Sequence, residues 1–451
     1  MTERMKAVAA AGAVAAFWLA VWVFAAALVA QPLILPGPGA VVVALLRLVC
    51  DGSTWAILAG SGARILGGLA LAAVCGGVLA GISSRSRAFA RLVAPVLSFV
   101  KATPVACVVV LLLIWLGSAR VSIAAVFLMA LPGVYFSLVE GLAQVNKPLE
   151  QMFRLHGVRG WRLFCAHTWR EVLPFVLSCA RAVIGMSWKA GVAAELIGMA
   201  AGTVGERIYQ AKLLIETADL LAWTVLVVAA SWACEHVLVW LLRVSGPVAW
   251  RAAVRAHGCG ARGRAGAASD GTAAELALAV GDRAPWAPAL DGLVLRVPAG
   301  GRICVMGASG AGKSTLLALA AGECAPCSMV FQDVRLVEDA SALDNVLVCA
   351  DARVDASSAL ALLRLLVPGV DVHARVAELS GGQRRRVEIA RALLCPGDAV
   401  VLDEPFTGLD AAARDACAEV VLDLLDGRML LLATHDAADA RALNISDIIT
   451  L

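Results

Sequence analysis

Apolar positions change rhythm near the middle of the chain. In the first half they form long runs at the scale of a membrane-crossing helix, which needs about 20 residues. Ala7–Ala30 carries no charge, and further apolar runs lie near 57–82, 93–116, 121–140, 173–198 and 220–242. In the second half the apolar runs shorten to strand length, as in Arg302–Met306 and 399–402, and alternate with helical runs such as 316–321 and 384–394. The pattern predicts a multi-domain chain: an all-α transmembrane part of about six helices over 1–243, then an α/β part over 275–451. Between them, 244–274 is rich in Gly, Ala, Arg and Ser without apolar periodicity, and reads as a linker. Arg4 and Lys6 ahead of the first run would also suit a secretory signal. Its apolar part is longer than the ~7–15 residues of a signal core and more spans follow, so it is read as a retained helix. Gly67, Gly68, Gly76 and Gly77 suit close helix packing in lipid.

Composition supports the membrane reading: 60% of the 451 residues are hydrophobic, with a mean hydropathy of +0.82, above the roughly half of soluble domains. A net charge of +3 gives no argument for a nucleic-acid partner. The distribution of basic residues is more informative. Arg85, Arg87 and Arg91 follow the second run, Lys147, Arg154, Arg159, Arg162 and Arg170 the fourth, and Arg243, Arg251 and Arg255 the sixth. The positive-inside rule then places the N-terminus, the 141–172 loop and the α/β part in the cytoplasm, making the chain a multi-pass protein of the cytoplasmic membrane. The 13 cysteines lack a repeating spacing and read as small buried hydrophobes in a reducing compartment. Cys324 and Cys327 have the spacing of half a metal site, but no second pair or His cluster completes it in sequence.

The chemistry lies in the second half. The strand 302–306 runs into Gly307-Ala308-Ser309-Gly310-Ala311-Gly312-Lys313-Ser314-Thr315 and then a helix. This is a phosphate-binding loop in its strand–loop–helix setting, where backbone N–H groups and the helix N-terminus face the phosphates. Lys313 would reach the β- and γ-phosphates of ATP, and Ser314 would ligate Mg²⁺. The strand 399–402 ends in Asp403 and Glu404, suited to holding the Mg²⁺ shell and to polarising the attacking water. Leu379-Ser380-Gly381-Gly382-Gln383 then opens a helical run.

With that pentapeptide the stretch 276–451 resembles the nucleotide-binding domain of ABC transporters. The resemblance implies an ATP hydrolase that works as a head-to-tail dimer, with Ser380, Gly381, Gly382 and Gln383 of one copy closing on ATP held by the other. It implies that Gln332 senses Mg²⁺ and meets the membrane domain, that Asp410 in Gly408-Leu409-Asp410 belongs to the dimer turn, and that His435 contacts the γ-phosphate. Trp286 is a candidate for stacking on adenine, or an ordinary packed tryptophan. Only the 18 residues 314–331 separate Lys313 from Gln332, about half the family's usual spacing, so a shortened β-subdomain is expected.

The loop after the fourth run carries Glu150, Gly157 and Pro174 in Leu149-Glu-Gln-Met-Phe-Arg-Leu-His-Gly157 through Leu173-Pro174. It resembles the coupling loop of binding-protein-dependent importer permeases, with Glu150 one place early, the usual alanines replaced and Arg170 where a proline is usual. Trp188, Glu195, Gly205 and Tyr209-Gln-Ala-Lys212 extend the likeness to the nitrate, sulfonate and taurine branch over about 50–243. The resemblance implies ATP-driven import of a small solute by a homodimer in the lipid bilayer, served by a separate extracytoplasmic substrate-binding protein. An exporter half-molecule and a non-transporting ATP-binding regulator are the alternatives. Lys101, Arg181 and Lys189 within the runs would suit an anionic solute, although Arg181 can snorkel and Lys189 can pair with Glu195.

Overall fold

A computed structural model describes residues 2–256, 276–280, 290, 293–308, 310–324 and 327–451. The chain divides into two units, Met1–Gln144 with Val172–Val244 and Val145–Glu171 with Ser245–Leu451.

Through residue 255 the elements are helical: α1 (Thr2–Val29), α2 (Pro38–Cys50), α3 (Gly52–Arg85), α4 (Arg87–Ala102), α5 (Val105–Leu116), α6 (Ser118–Ala143), α7 (Lys147–Leu155), α8 (Gly160–Leu163), α9 (Trp169–Gly198), α10 (Val204–Leu213) and α11 (Thr217–Arg255). A single π-turn, Phe164–Thr168, leads into α9. Among the described residues five helices are long and apolar enough to cross a membrane, and α4 with α5 makes a sixth if the bent pair is one span. The span expected over 93–116 falls on this bent pair. It breaks at Thr103–Pro104 with a bend of 103°, because proline has no N–H to give the preceding turn and pushes Thr103 to an extended ψ of 130°.

Within the first unit α3 lies along α6. A Cβ at Gly68 would fall 2.5 Å from the Ile123 carbonyl oxygen, and one at Gly76 would fall 2.8 Å from Val134. Gly67 has open space and Gly77 only loose contact with Leu138, so one glycine of each pair makes the close approach. Glu195 is fully buried. It accepts from the Ser61 hydroxyl at 2.8 Å and from the Gly205 N–H at 3.4 Å, with Arg64 at 3.7 Å. Lys189, considered above as its partner, is exposed, as are Lys101 and Arg181.

The stretch from 244 was expected to be linker. The structure corrects its first part, because α11 continues through Pro247 to Arg255 and buries Trp250 and Ala253 in the core of the second unit. Those two residues lie a helical turn apart on one face. Cys50 and Cys107, read as buried, are exposed.

In the second unit β1 (Leu276–Ala279) pairs antiparallel with β2 (Val294–Val297). The remaining elements are β3 (Arg302–Met306), α12 (Lys313–Glu323), β4 (Ser328–Val330), α13 (Ala342–Leu347), α14 (Ala356–Leu366), α15 (Gly381–Leu394), β5 (Ala399–Asp403), α16 (Ala411–Asp423), β6 (Met429–Thr434), α17 (Ala437–Ala442) and β7 (Asp447–Thr450). Strands β4-β5-β6-β3-β7 form one sheet, parallel throughout. Every residue of β5 and β6 is buried, as a parallel sheet covered on both faces requires. Alternate strand residues feed two cores. Val401 and Leu431 pack with Leu316 and Leu317 of α12, while Val400 and Leu430 pack with Val387 of α15 and Val421 of α16.

Candidate functional site

The parallel register brings the C-terminal ends of β3, β5 and β6 into line, with Met306 opposite Thr434 and Asp403 opposite Ala433. Ligand sites of open parallel sheets lie at such strand ends. After β3 the chain turns through Gly310 and Gly312 at φ of 84° and 96°, a left-handed backbone that glycine adopts without strain. A Cβ at Gly312 would also meet Leu290 at 3.2 Å. Lys313 is 7% exposed, and its Nζ donates to the carbonyls of Gly307 at 2.7 Å and Ala308 at 2.9 Å. The ammonium is thus held at the loop it would serve, and phosphate oxygens would replace those carbonyls as acceptors. Ser314 and Thr315 open α12 beside it. Ser309 and Trp286 lie outside the described residues.

At the end of β5, Asp403 is 3% exposed and its Oδ1 has no hydrogen-bond partner. Burial raises its pKa, the Ser314 hydroxyl lowers it, the Glu404 charge raises it, and Lys313 pulls it down again, for a net upward shift. An unpartnered carboxylate oxygen beside a serine hydroxyl is the hard-oxygen donor set that Mg²⁺ takes. Glu404 adopts φ of 46°, a left-handed backbone costly for a residue with a side chain and typical of functional sites. Its N–H still bonds the Ala433 carbonyl at 2.9 Å, so the turn follows directly from the β5–β6 ladder. It sets Glu404 Oε1 at 3.3 Å from Nδ1 of His435, which is itself exposed. The turn under His435 is fixed by two residues that sequence reasoning passed over. The Thr434 hydroxyl donates to Asp439 at 2.6 Å and accepts from the Asp436 N–H at 3.1 Å.

Ser380 caps α15. Its hydroxyl accepts from the Gln383 N–H, and its own N–H donates to the Gln383 side chain, a reciprocal capping box. Ser380 and Gly381 are exposed. A Cβ at Gly382 would meet Leu409 at 3.3 Å and the Gly408 carbonyl at 3.4 Å, which places the 380–383 turn against the turn ending in Asp410. Asp410 caps α16 through the Ala413 N–H at 2.7 Å.

Gln332 is exposed, just beyond β4, and its backbone is held by a charge cluster not anticipated from sequence. Arg385, Glu388 and Arg391 are buried on one face of α15. Glu388 accepts from Arg385 at 2.9 Å, Arg391 at 3.2 Å and the Arg335 N–H at 3.0 Å. The two guanidiniums reach out to the carbonyls of Phe331, Gln332 and Arg335. The signal was present: charges at i, i+3 and i+6 inside a helix with Val387, Ile389 and Ala390 must find partners.

The segment 145–171 belongs to the same unit. Asn146 caps α7, which buries Leu149, Met152 and Phe153 in the core that includes Met329 and Phe331. Leu155 accepts from the Cys327 N–H at 3.0 Å, His156 Nε2 from the Met329 N–H at 3.2 Å, and Pro148 from Arg335 at 3.2 Å. Arg170 pairs with Asp339 and lies 4.7 Å from the Trp250 ring centre. Gly157 turns the chain after α7 with φ of 79°. Glu150 pairs with Arg154 one turn on, at 2.7 Å, and Pro174 lies inside α9 in the other unit.

Residues 73–249 match the family described as binding-protein-dependent transport system inner membrane component, and residues 290–407 match the ABC transporter family. Aliphatic sulfonates import ATP-binding protein SsuB 1 of Paracoccus denitrificans is 34% identical over 179 residues, covering 37% of this chain and 72% of the relative. Its namesake in Rhizobium johnstonii is 36% identical over 175 residues, and the chain spans 64% of its length while 34% of this chain is covered. Lipoprotein-releasing system ATP-binding protein LolD of Xanthomonas axonopodis pv. citri is 35% identical over 191 residues, covering 35% of this chain and 78% of the relative. The chain belongs to the ABC transporter family, with a stretch similar to the inner membrane component of binding-protein-dependent transport systems ahead of its ATP-binding cassette.

Proposed function

We propose that the protein imports a small anionic solute of the sulfonate class across the cytoplasmic membrane, powered by ATP hydrolysed between two copies of the cassette. The carrying observation is the seating of α7 and His156 on the strand that leads into Gln332. This arrangement suits transmission of a nucleotide-dependent change at Gln332 to segment 145–171, with Gly157 as its turn, whereas Glu150 faces Arg154. The permease match and the SsuB-type relatives support import. The LolD-type relative shows that likeness of the cassette does not by itself set direction.

In this reading Gly307, Gly310, Ala311, Gly312 and the start of α12 hold the ATP phosphates through backbone N–H groups, with Lys313 as counter-charge and Ser314 and Thr315 at the helix start. Ser314, Asp403 and Gln332 would hold Mg²⁺, which when bound neutralises phosphate charge. Glu404 accepts a proton from the water that attacks the γ-phosphorus as the bond to the ADP oxygen breaks. His435 steadies the Glu404 carboxylate and the γ-phosphate. Ser380 to Gln383 and Asp410 complete the site from a second copy, consistent with Ser380 and Gly381 standing exposed. The basic loops support a cytoplasmic cassette, and in this reading an extracytoplasmic binding protein delivers the solute.

The test is uptake of labelled alkanesulfonates by vesicles containing the full chain, with candidate binding proteins, beside Glu404→Gln. ATP-dependent uptake lost in the variant supports the reading. Hydrolysis without uptake of any sulfonate would overturn the solute class, and outward pumping would overturn the direction.

A further inference from the structure

His156, Cys349 and Cys395 come from three separate stretches of the second unit: the residue after α7, the turn after α13 and the C-cap of α15. Their ligand atoms lie within 4.8 Å of one another, and the side chains are 2%, 1% and 4% exposed. The two sulfurs lie within that same distance of each other, close enough for both to bind one soft cation. The third member is not a free ligand. His156 Nε2 accepts the Met329 N–H at 3.2 Å, which puts the proton of a neutral imidazole on Nδ1. That Nδ1 is buried with no hydrogen-bond partner, a cost that calls for an acceptor. Arg391 lies near both sulfurs, and its Nε is likewise buried without a partner. Two thiolates around a monovalent soft ion carry one net negative charge, and this cationic, donor-rich surround fits it. No further carboxylate, thiol or imidazole joins the group among the described residues, so a divalent ion that wants four ligands fits poorly.

We propose that Cys349 and Cys395 form a two-thiolate site for a thiophilic monovalent cation of the Cu(I) class, with His156 Nδ1–H donating to a coordinated sulfur rather than ligating. On binding, each thiol releases its proton to solvent and one S–metal bond forms per cysteine, with no change in oxidation state. Because His156 belongs to the segment seated on β4, an occupied site fastens that segment to the end of α15.

The test is competitive Cu(I) titration of the full chain in detergent under reducing conditions, with X-ray absorption at the copper edge. Other thiols, including Cys324 and Cys327, can take up copper, so the readout is the difference between wild type and variants that retain ATP binding. Cys349→Ser and Cys395→Ser are each expected to lose one equivalent per chain. His156→Ala is expected to keep that equivalent with affinity weakened about tenfold or more. If the serine variants do not fold, the wild-type spectrum decides, and it should contain a component with two sulfur ligands. Equal copper uptake by folded serine variants, an imidazole in the coordination sphere of this ion, or preferential retention of Zn(II) over Cu(I) at these residues would each overturn the proposal.

Discussion

Replacing Glu388 by alanine tests how the charge cluster on α15 stabilises the cassette. The carboxylate accepts three hydrogen bonds, at 2.9, 3.2 and 3.0 Å. Its removal leaves Arg385 and Arg391, 4% and 0% exposed, as uncompensated buried cations. Breaking a buried ion pair by deleting one partner costs about 3–5 kcal/mol. For a unit of this size each kcal/mol lowers Tm by about 2–4 °C, so the fall should be roughly 6–20 °C. Glu388→Gln keeps the shape and one acceptor but drops the charge, and should fall between wild type and alanine. The assay is thermal unfolding of the full chain in lipid vesicles, followed by tryptophan fluorescence. ATP hydrolysis should decline as well, because the two arginines hold the carbonyls of Phe331, Gln332 and Arg335. An alanine variant that unfolds within about 2 °C of wild type would refute the claim that Glu388 compensates these charges.

Other expectations follow from the same geometry. Glu404→Gln should slow hydrolysis by about 10²–10⁴-fold while leaving nucleotide binding intact, whereas Lys313→Ala should weaken ATP binding itself; turnover and equilibrium nucleotide titrations separate the two. Because burial raises the Asp403 pKa, a larger fraction is protonated at a given mildly acidic pH than for a free aspartate. On acidification the Mg²⁺ needed for half-maximal hydrolysis should therefore begin to rise at a higher pH than for a solvent carboxylate, and Mg²⁺ titrations across pH read it. Gly68→Ala forces a methyl against the Ile123 carbonyl and Gly67→Ala does not. The first should cost about 1–3 kcal/mol and the second almost nothing, as measured by Tm in matched lipid.

The apolar rhythm revealed the helical and α/β halves because it is a property of neighbouring residues: a span or a buried strand shows in its own window. The phosphate loop and the Asp403–Glu404 pair were legible for the same reason, since each sits at the end of a strand visible by itself. The bend at Thr103–Pro104 was also local, but the unbroken hydropathy of 93–116 masked a proline whose missing N–H decides the matter. Continuation of α11 past Val244 was not legible, because what holds it is the burial of Trp250 and Ala253 against residues distant in sequence. The Arg385–Glu388–Arg391 spacing was visible on one helix, but the carbonyls it holds and the His156–Cys349–Cys395 group were not, because only the fold brings those partners near.

The buried arginines also bear on how chemistry and movement can be joined. The 380–383 turn starts α15, and about one turn along that helix the Arg385 guanidinium grips the carbonyls of Phe331 and Gln332. Arg335 of that segment in turn donates to Pro148 at the start of α7. Each joint is a charged donor on a backbone carbonyl, and the members next to α15 are shielded from water, where such bonds are strong and costly to leave unmade. A change that tilts α15 would therefore be met by the 331–335 segment rather than by solvent rearrangement. By reciprocity of coupled equilibria, displacement of α7 would bias α15 to the same extent. The contacts between 145–171 and the cassette lie within one compact unit, and their side chains determine what the segment grips.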